Sequence, residues 1–141
     1  MDHITALLYD LTHDFHSWIA PYRIDGEPDK YTKGRIIIDK LNLLRGYERR
    51  YSTRLDNRSK VALDSVIEQF GRRSSVFFNA LPGYFGGSFG DPYQLPEDPN
   101  LAKVRVTTEK WLAEDLPKAL GDLEEEFTQS LKISPSWWRR R

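Results

Sequence analysis

The sequence predicts an all-α fold: a small four-helix, bundle-like domain with a long Gly/Pro/aromatic loop before the last helix. Three observations predict it. Apolar residues recur at steps of three, four and seven in four separate stretches. The stretch 35–51 is apolar over about half of a helical cylinder, wide enough to need two or three neighbours, which places it at the centre of the domain. Between the third and fourth stretches, residues 82–99 hold four glycines, four prolines and four aromatic rings, too many breakers for a simple turn.

The first helix is expected over Asp2–Ile19, with Ile4, Leu7, Leu8, Leu11, Phe15, Trp18 and Ile19 in one stripe and Asp2 as its N-cap. Pro21 and the polar stretch from Asp25 to Asp29 close it. The central helix follows from Asp29 or Thr32 to Ser52, with Ile36, Ile37, Leu41, Leu43, Leu44, Tyr47 and Tyr51 on its apolar arc. Gly34 and Gly46 inside it point to close helix approach, since each costs about 1 kcal/mol relative to Ala.

Asn57 or Ser59 is expected to cap a third helix over Lys60–Leu81, striped by Leu63, Val66, Ile67, Phe70, Phe77, Phe78 and Leu81, with a kink near Gly71–Ser75. Tyr84, Phe85, Phe89 and Tyr93 suggest a following loop pinned over the bundle by its own rings. Lys103–Thr107 alternates and reads as a short extended piece or as the start of the last helix. That helix is expected over Glu109–Lys132 behind a Thr107 or Thr108 cap, bent at Pro117 with Asp115 as a fresh cap. Its stripe is Leu112, Leu116, Ala119, Leu120, Leu123, Phe127 and Leu131. Residues 1–133 read as one helical domain and 134–141 as a Trp/Arg tail that the proline keeps outside it.

The 141 residues suffice for one domain with a real core. With 39% hydrophobic and 30% charged residues, the balance is that of an ordinary globular protein. Without cysteine there is no disulfide or thiol chemistry, and a metal site would need His, Asp and Glu. No apolar run reaches the roughly 18 residues of a membrane span, and acidic residues stand where a signal peptide needs basic ones, so a cytoplasmic location is expected. The net charge is zero but uneven. Residues 1–30 hold two basic and six acidic residues (net −4), and 31–60 hold nine basic and three acidic (net +6). Intramolecular pairing or complementary subunit faces follow from that, and a whole-surface nucleic-acid binder does not.

Chemistry has few footholds. His3, Asp10 and Asp14 share one helical strip, the donor types of a zinc or manganese site, without matching donors from other helices. No nucleophile–base set or phosphate loop stands out, so neither catalytic residues nor a cofactor is assigned. Arg45, Arg49, Arg50, Arg54 and Arg58 interleave with Tyr47 and Tyr51, the residue types that hold phosphates and stack on bases. The Trp137, Trp138, Arg139, Arg140 and Arg141 tail is rich in the residue types enriched at interface hot spots. Together with the rings of Tyr84, Phe85 and Phe89, it points to a non-enzymatic protein–protein interaction or assembly module, a small subunit or adaptor that binds a protein partner or itself. A nucleic-acid-binding subunit using the arginine patch is the alternative. A metal-dependent enzyme at His3, Asp10 and Asp14 is a second. Removing residues 135–141 is expected to lower self-association or partner binding with helix content intact; unchanged mass and binding by light scattering would take the tail out of the interface.

Overall fold

The computed structural model describes residues 2–20, 29–81 and 99–133, with side chains from 3 onward and as far as 129. Its elements are α1 (Asp2–Ile19), α2 (Lys30–Arg50), α3 (Asn57–Ala80), α4 (Pro99–Lys110), a π turn (Trp111–Asp115) and α5 (Leu116–Ile133). The last three run on without a break as a fourth helix, and no strand occurs among the described residues. The domain is therefore a small all-α, four-helix fold. The side chain of Asp2, the loop rings Tyr84, Phe85, Phe89 and Tyr93, and the 134–141 tail lie outside the described residues.

The helix starts follow capping chemistry. Asp29 accepts the backbone N–H of Thr32 at 2.7 Å and opens α2. Asp56 does the same for Ser59 at 2.7 Å, so the cap of α3 is Asp56 and not Asn57 or Ser59. Ser59 instead falls inside the first turn, fully buried, and its hydroxyl meets no hydrogen-bond partner among the described residues. Through Gly71–Ser75, where a kink is expected, α3 remains helical and runs on to Ala80, with the Ser74 hydroxyl donating to the Gly71 carbonyl at 2.9 Å.

The fourth helix begins ten residues before its expected start at Glu109 (109 against Pro99). Residues 103–107 are helical, and the hydroxyls of Thr107 and Thr108 donate back to the carbonyls of Lys103 and Val104 at 3.0 and 2.8 Å. A threonine bonded to the fourth residue before it is a helix-interior residue, not a cap. Pro117 is absorbed without a fresh cap at Asp115. The turn before it widens, and the N–H of Leu116 reaches the carbonyl of Trp111. One extra residue per turn moves carbonyls away from the proline ring, which would clash in a regular α-helix. Trp111 and Leu112, the first two residues of this turn, are both buried.

Side-chain contacts fix the directions. Trp18 meets Lys30 while His3 meets Tyr47, so α1 and α2 are antiparallel. Gly34 abuts Phe78 and Arg45 abuts Gly71, which makes α2 and α3 antiparallel too. Phe15 touches Trp111 while Tyr9 donates to Glu124, so the fourth helix runs against α1. The arrangement is up and down, each helix packing on its chain neighbour and the last on the first. By helices, α3 packs on α2 and on the fourth helix, which it meets along both α4 and α5, and α2 packs on α1 and α3. The width of the α2 arc therefore does not reflect a central place.

An aromatic column joins the helices through the core. Phe77 and Phe78 of α3 meet Trp18 of α1 at centroid distances of 4.7 and 6.1 Å. Trp18 meets Phe15 at 5.5 Å, and Phe15 meets Phe70 and Trp111, each at 5.5 Å. Phe70 and Trp111 close the column edge to face at 5.3 Å and 89°. Such pairs add roughly 0.5–1.5 kcal/mol each beyond area burial.

Gly34 lets this column reach α2. A Cβ there would lie 2.5 Å from the Phe78 ring and 2.9 Å from Trp18 Cζ2, closer than carbon atoms pack. Gly46 has the opposite surroundings, with nothing within 4 Å of its missing Cβ, so only one of the two glycines serves close approach. Gly34→Ala is expected to destabilise the fold by about 1–3 kcal/mol through overpacking, whereas Gly46→Ala is expected to stabilise it by about 0.4–1 kcal/mol by restricting the unfolded chain. Urea unfolding of the two variants side by side checks the opposite signs.

Candidate interaction surface

The run Arg35–Ile36–Ile37–Ile38 explains how α2 comes to carry apolar side chains outside the core. Successive helical residues are 100° apart, so three consecutive isoleucines cannot all face inward. Ile37 is fully buried, while Ile36 and Ile38 on its flanks are 38% and 41% exposed. Leu43 and Leu44 split likewise, Leu44 buried and Leu43 51% exposed. With α1 and α3 as its cover, α2 leaves Ile36 and Leu43 exposed along one edge and Ile38 exposed along the opposite, α3-facing edge, with Arg35, Asp39 and Arg49 on the surface between them. Gly46 leaves open space on the same helix.

The α1 flank of α2 is held by polar bonds. Lys40 pairs with Asp14 at 2.6 Å, an intramolecular pairing of the acidic strip of α1 with a cation of α2. At about 30% and 25% side-chain exposure this pair contributes no more than about 1 kcal/mol. Lys33 donates to the Ser17 hydroxyl at 2.7 Å. On the α3 flank, Ile38, Asn42, Arg45, Gly71, Ser75 and Asn79 line a cleft of about 330 Å³. Ile38, exposed at the surface, thus also lines a recess large enough for a partner side chain.

The structure brings most of the predicted arginine patch to one end of α2. The rings of His3 and Tyr47 stack at 5.8 Å and 25°, and Tyr47 and Tyr51 follow at 6.4 Å. The guanidinium groups of Arg50 and Arg54 lie over Tyr47 and Tyr51, each 5.8 Å from the ring centroid. Arg45 turns instead toward Gly71 of α3, and Arg58 is exposed on the first turn of α3. Tyr47 and Tyr51 are half-buried at the rim of the core, not inside it.

The expected metal strip does not converge. His3 stacks on Tyr47 and Asp14 is taken by Lys40, while Asp10 is exposed beside them. No three His, Asp or Glu side chains come together for a metal ion among the described residues. No described helix is long and apolar enough to cross a membrane.

Three features escaped sequence reading. Glu48 lies four residues after Leu44 and seven after Leu41, on the buried side of α2, where a carboxylate is out of place. Burial and the facing Asp64 of α3 push its carboxyl up to about 7, against the opposing pull of Arg45 and Arg49. That position on an apolar stripe was the available signal. Lys30 and Lys33 are buried against the end of α1, which no periodicity announces. Trp111 stands three residues after the buried Thr108 and ten after Leu101, so it continues the buried side of α4 into the core.

Trp111 also floors a groove of about 720 Å³ between α3 and the fourth helix. Its indole N–H donates to Gln69 at 2.9 Å, Gln69 donates to Ser65 at 3.2 Å, and Arg73 lies over the ring at 5.9 Å. The groove carries Glu68, Asp115 and Asp122 against Arg72, Arg73 and Lys118, a balance that selects neither anions nor cations. Gln69→Leu leaves the Trp111 N–H without its acceptor and is expected to cost about 1–3 kcal/mol; an unchanged urea midpoint would mean that the groove end of Trp111 is wet.

The chain matches no protein-family model, no curated protein and no solved structure.

Proposed function

We propose that the chain is a non-enzymatic protein–protein interaction module, a small subunit or adaptor, that docks through the outward face of α2. Ile36, Ile38 and Leu43 exposed on one helix among arginines is the observation that carries this reading. Singly exposed apolar residues are ordinary; three on a helix whose other side is fully packed are not. Arginine is the charged residue most favoured at interface centres, and the adjoining cleft offers an anchor pocket. The helix holds seven basic and two acidic residues, so the complementary partner is a protein surface with apolar side chains ringed by carboxylates. The 134–141 tail and the rings of Tyr84, Phe85 and Phe89 are further contact elements in this reading.

A second reading has its own observation. The row of His3, Tyr47 and Tyr51 with Arg50 and Arg54 over the tyrosines combines cations and flat groups at one edge, the ingredients of single-stranded nucleic-acid binding. Charges of opposite sign elsewhere leave the chain neutral, which ranks it second.

Ile38→Asp/Leu43→Asp places charge on the face without touching the core. An oligomer that this variant dissociates, measured by light scattering, identifies a second copy as the partner. A monomer whose protein partner the variant loses while helix content is unchanged supports docking to another chain. Association indifferent to both substitutions ends the reading. The nucleic-acid reading predicts instead a slope of log affinity against log salt that falls in size by about 0.7–0.9 for each of Arg50→Gln and Arg54→Gln; a salt-insensitive interaction excludes it.

A further inference from the structure

At the seam between α2 and α3, the half-buried Glu48 meets the carboxyl of Asp64, whose own residue is exposed to solvent. Glu48 comes from the α3-facing side of α2, and its Oε2 is sealed from solvent with no hydrogen-bond donor among the described residues. The group facing its carboxyl across the seam is Asp64, itself an acceptor when ionised. Two ionised carboxylates at hydrogen-bonding distance repel, and neither can donate. One proton between them removes the repulsion and supplies the missing donor.

We propose that Glu48 and Asp64 share a single proton across the α2–α3 seam, and that this proton is a pH-sensitive clasp on the end of α2 that carries Tyr47, Arg50 and Tyr51. With the proton bound, the O–H of one carboxyl donates to the other and the helices close. When it leaves to solvent, two negative charges face each other and this end of the seam loosens. Arg45 and Arg49 on α2 favour the ionised form. The other charged groups on the facing elements are Lys60 and Glu68, one turn to either side of Asp64, with Glu68 paired to Arg72. On α1 they are His3, stacked on Tyr47, and Asp14, paired with Lys40. Burial and Asp64 outweigh the two arginines, which puts the transition of Glu48 near neutrality. The clasp stands whatever the outward face of α2 binds.

The sign follows from linkage. Glu48 holds its proton more tightly in the folded chain than in the unfolded one, so the folded state gains most at pH values below the ordinary carboxylate range. That gain declines as pH rises and is lost above about 7. Carbon-13 titration of the side-chain carboxyls in the intact chain tests this directly. A Glu48 midpoint near neutrality that returns toward the ordinary range in Asp64→Asn is the expected result; an ordinary midpoint with Asp64 in place overturns the clasp. Melting provides a second readout. Relative to Glu48→Gln, which keeps shape and hydrogen bonding but cannot ionise, the wild-type chain is expected to lose roughly 3 °C in Tm between pH 5 and pH 8. Parallel curves for the two chains overturn the proposal, as does a rise in wild-type Tm on adding manganese at pH 8, which would make the seam a cation bridge.

Discussion

The meeting of Trp18 and Lys30 is the constraint on which the rest of this fold depends. The indole N–H of Trp18 donates to the carbonyl of Lys30 at 2.8 Å, and the Lys30 ammonium donates back to the carbonyls of Trp18 and Ala20. Each group answers a need of the other. The end of α1 leaves carbonyls without intrahelical partners and a partial negative charge, and a buried lysine needs acceptors. Lys33 adds a second ammonium at the same end, against Ser17. Because the clasp sits where α1 hands over to α2, it fixes the register of the pair, and Gly34 one turn on lets Phe78 close over Trp18. The aromatic column then carries that register through α3 to Trp111.

A division of labour between helices follows. α3 shares its apolar side chains between α2 and the whole length of the fourth helix, while α2 has more apolar surface than its two neighbours cover. The surplus is what gives the molecule a face to offer. It also separates two kinds of charge on one helix. Lys30, Lys33 and Lys40 turn inward to bind α1, and Arg35, Arg49 and Arg50 remain at the surface. The choice of residue fits the physics: a flexible ammonium serves as a point donor to carbonyls, and a planar guanidinium keeps its stacking and forked hydrogen bonds for partners.

The parts of this fold governed by period were legible in the chain. α1 has the bounds its stripe implies, and the buried residues of α3 are those at helical spacing. What depended on partners from elsewhere was not. Asp56 was overlooked as a cap because Asn57 and Ser59 beside it have the same propensity, and only the backbone decides which one precedes the first turn. An irregularity at Pro117 was foreseen, but a widened turn and a fresh cap answer a proline equally well in sequence. Gly34 and Gly46 look alike until the neighbour of each is known. The surface was legible in part. The isoleucine run and the arginines were visible, and α2 has two of the two or three neighbours expected, but which apolar residues those neighbours leave uncovered was not readable from the arc. The loop rings and the tail, which carried most weight in the sequence, fall outside the described residues.

The π turn has a consequence for how such a chain can vary. Five residues fill a turn that ordinarily takes between three and four, so α4 and α5 are out of phase by about one residue, or 100°. A relative lacking one residue between 111 and 115, and with no proline at 117, would present the same inward side chains from α5 on a regular helix. The turn is a phase shifter: the point where the fourth helix gains or sheds a residue while both halves keep their grip on α1 and α3.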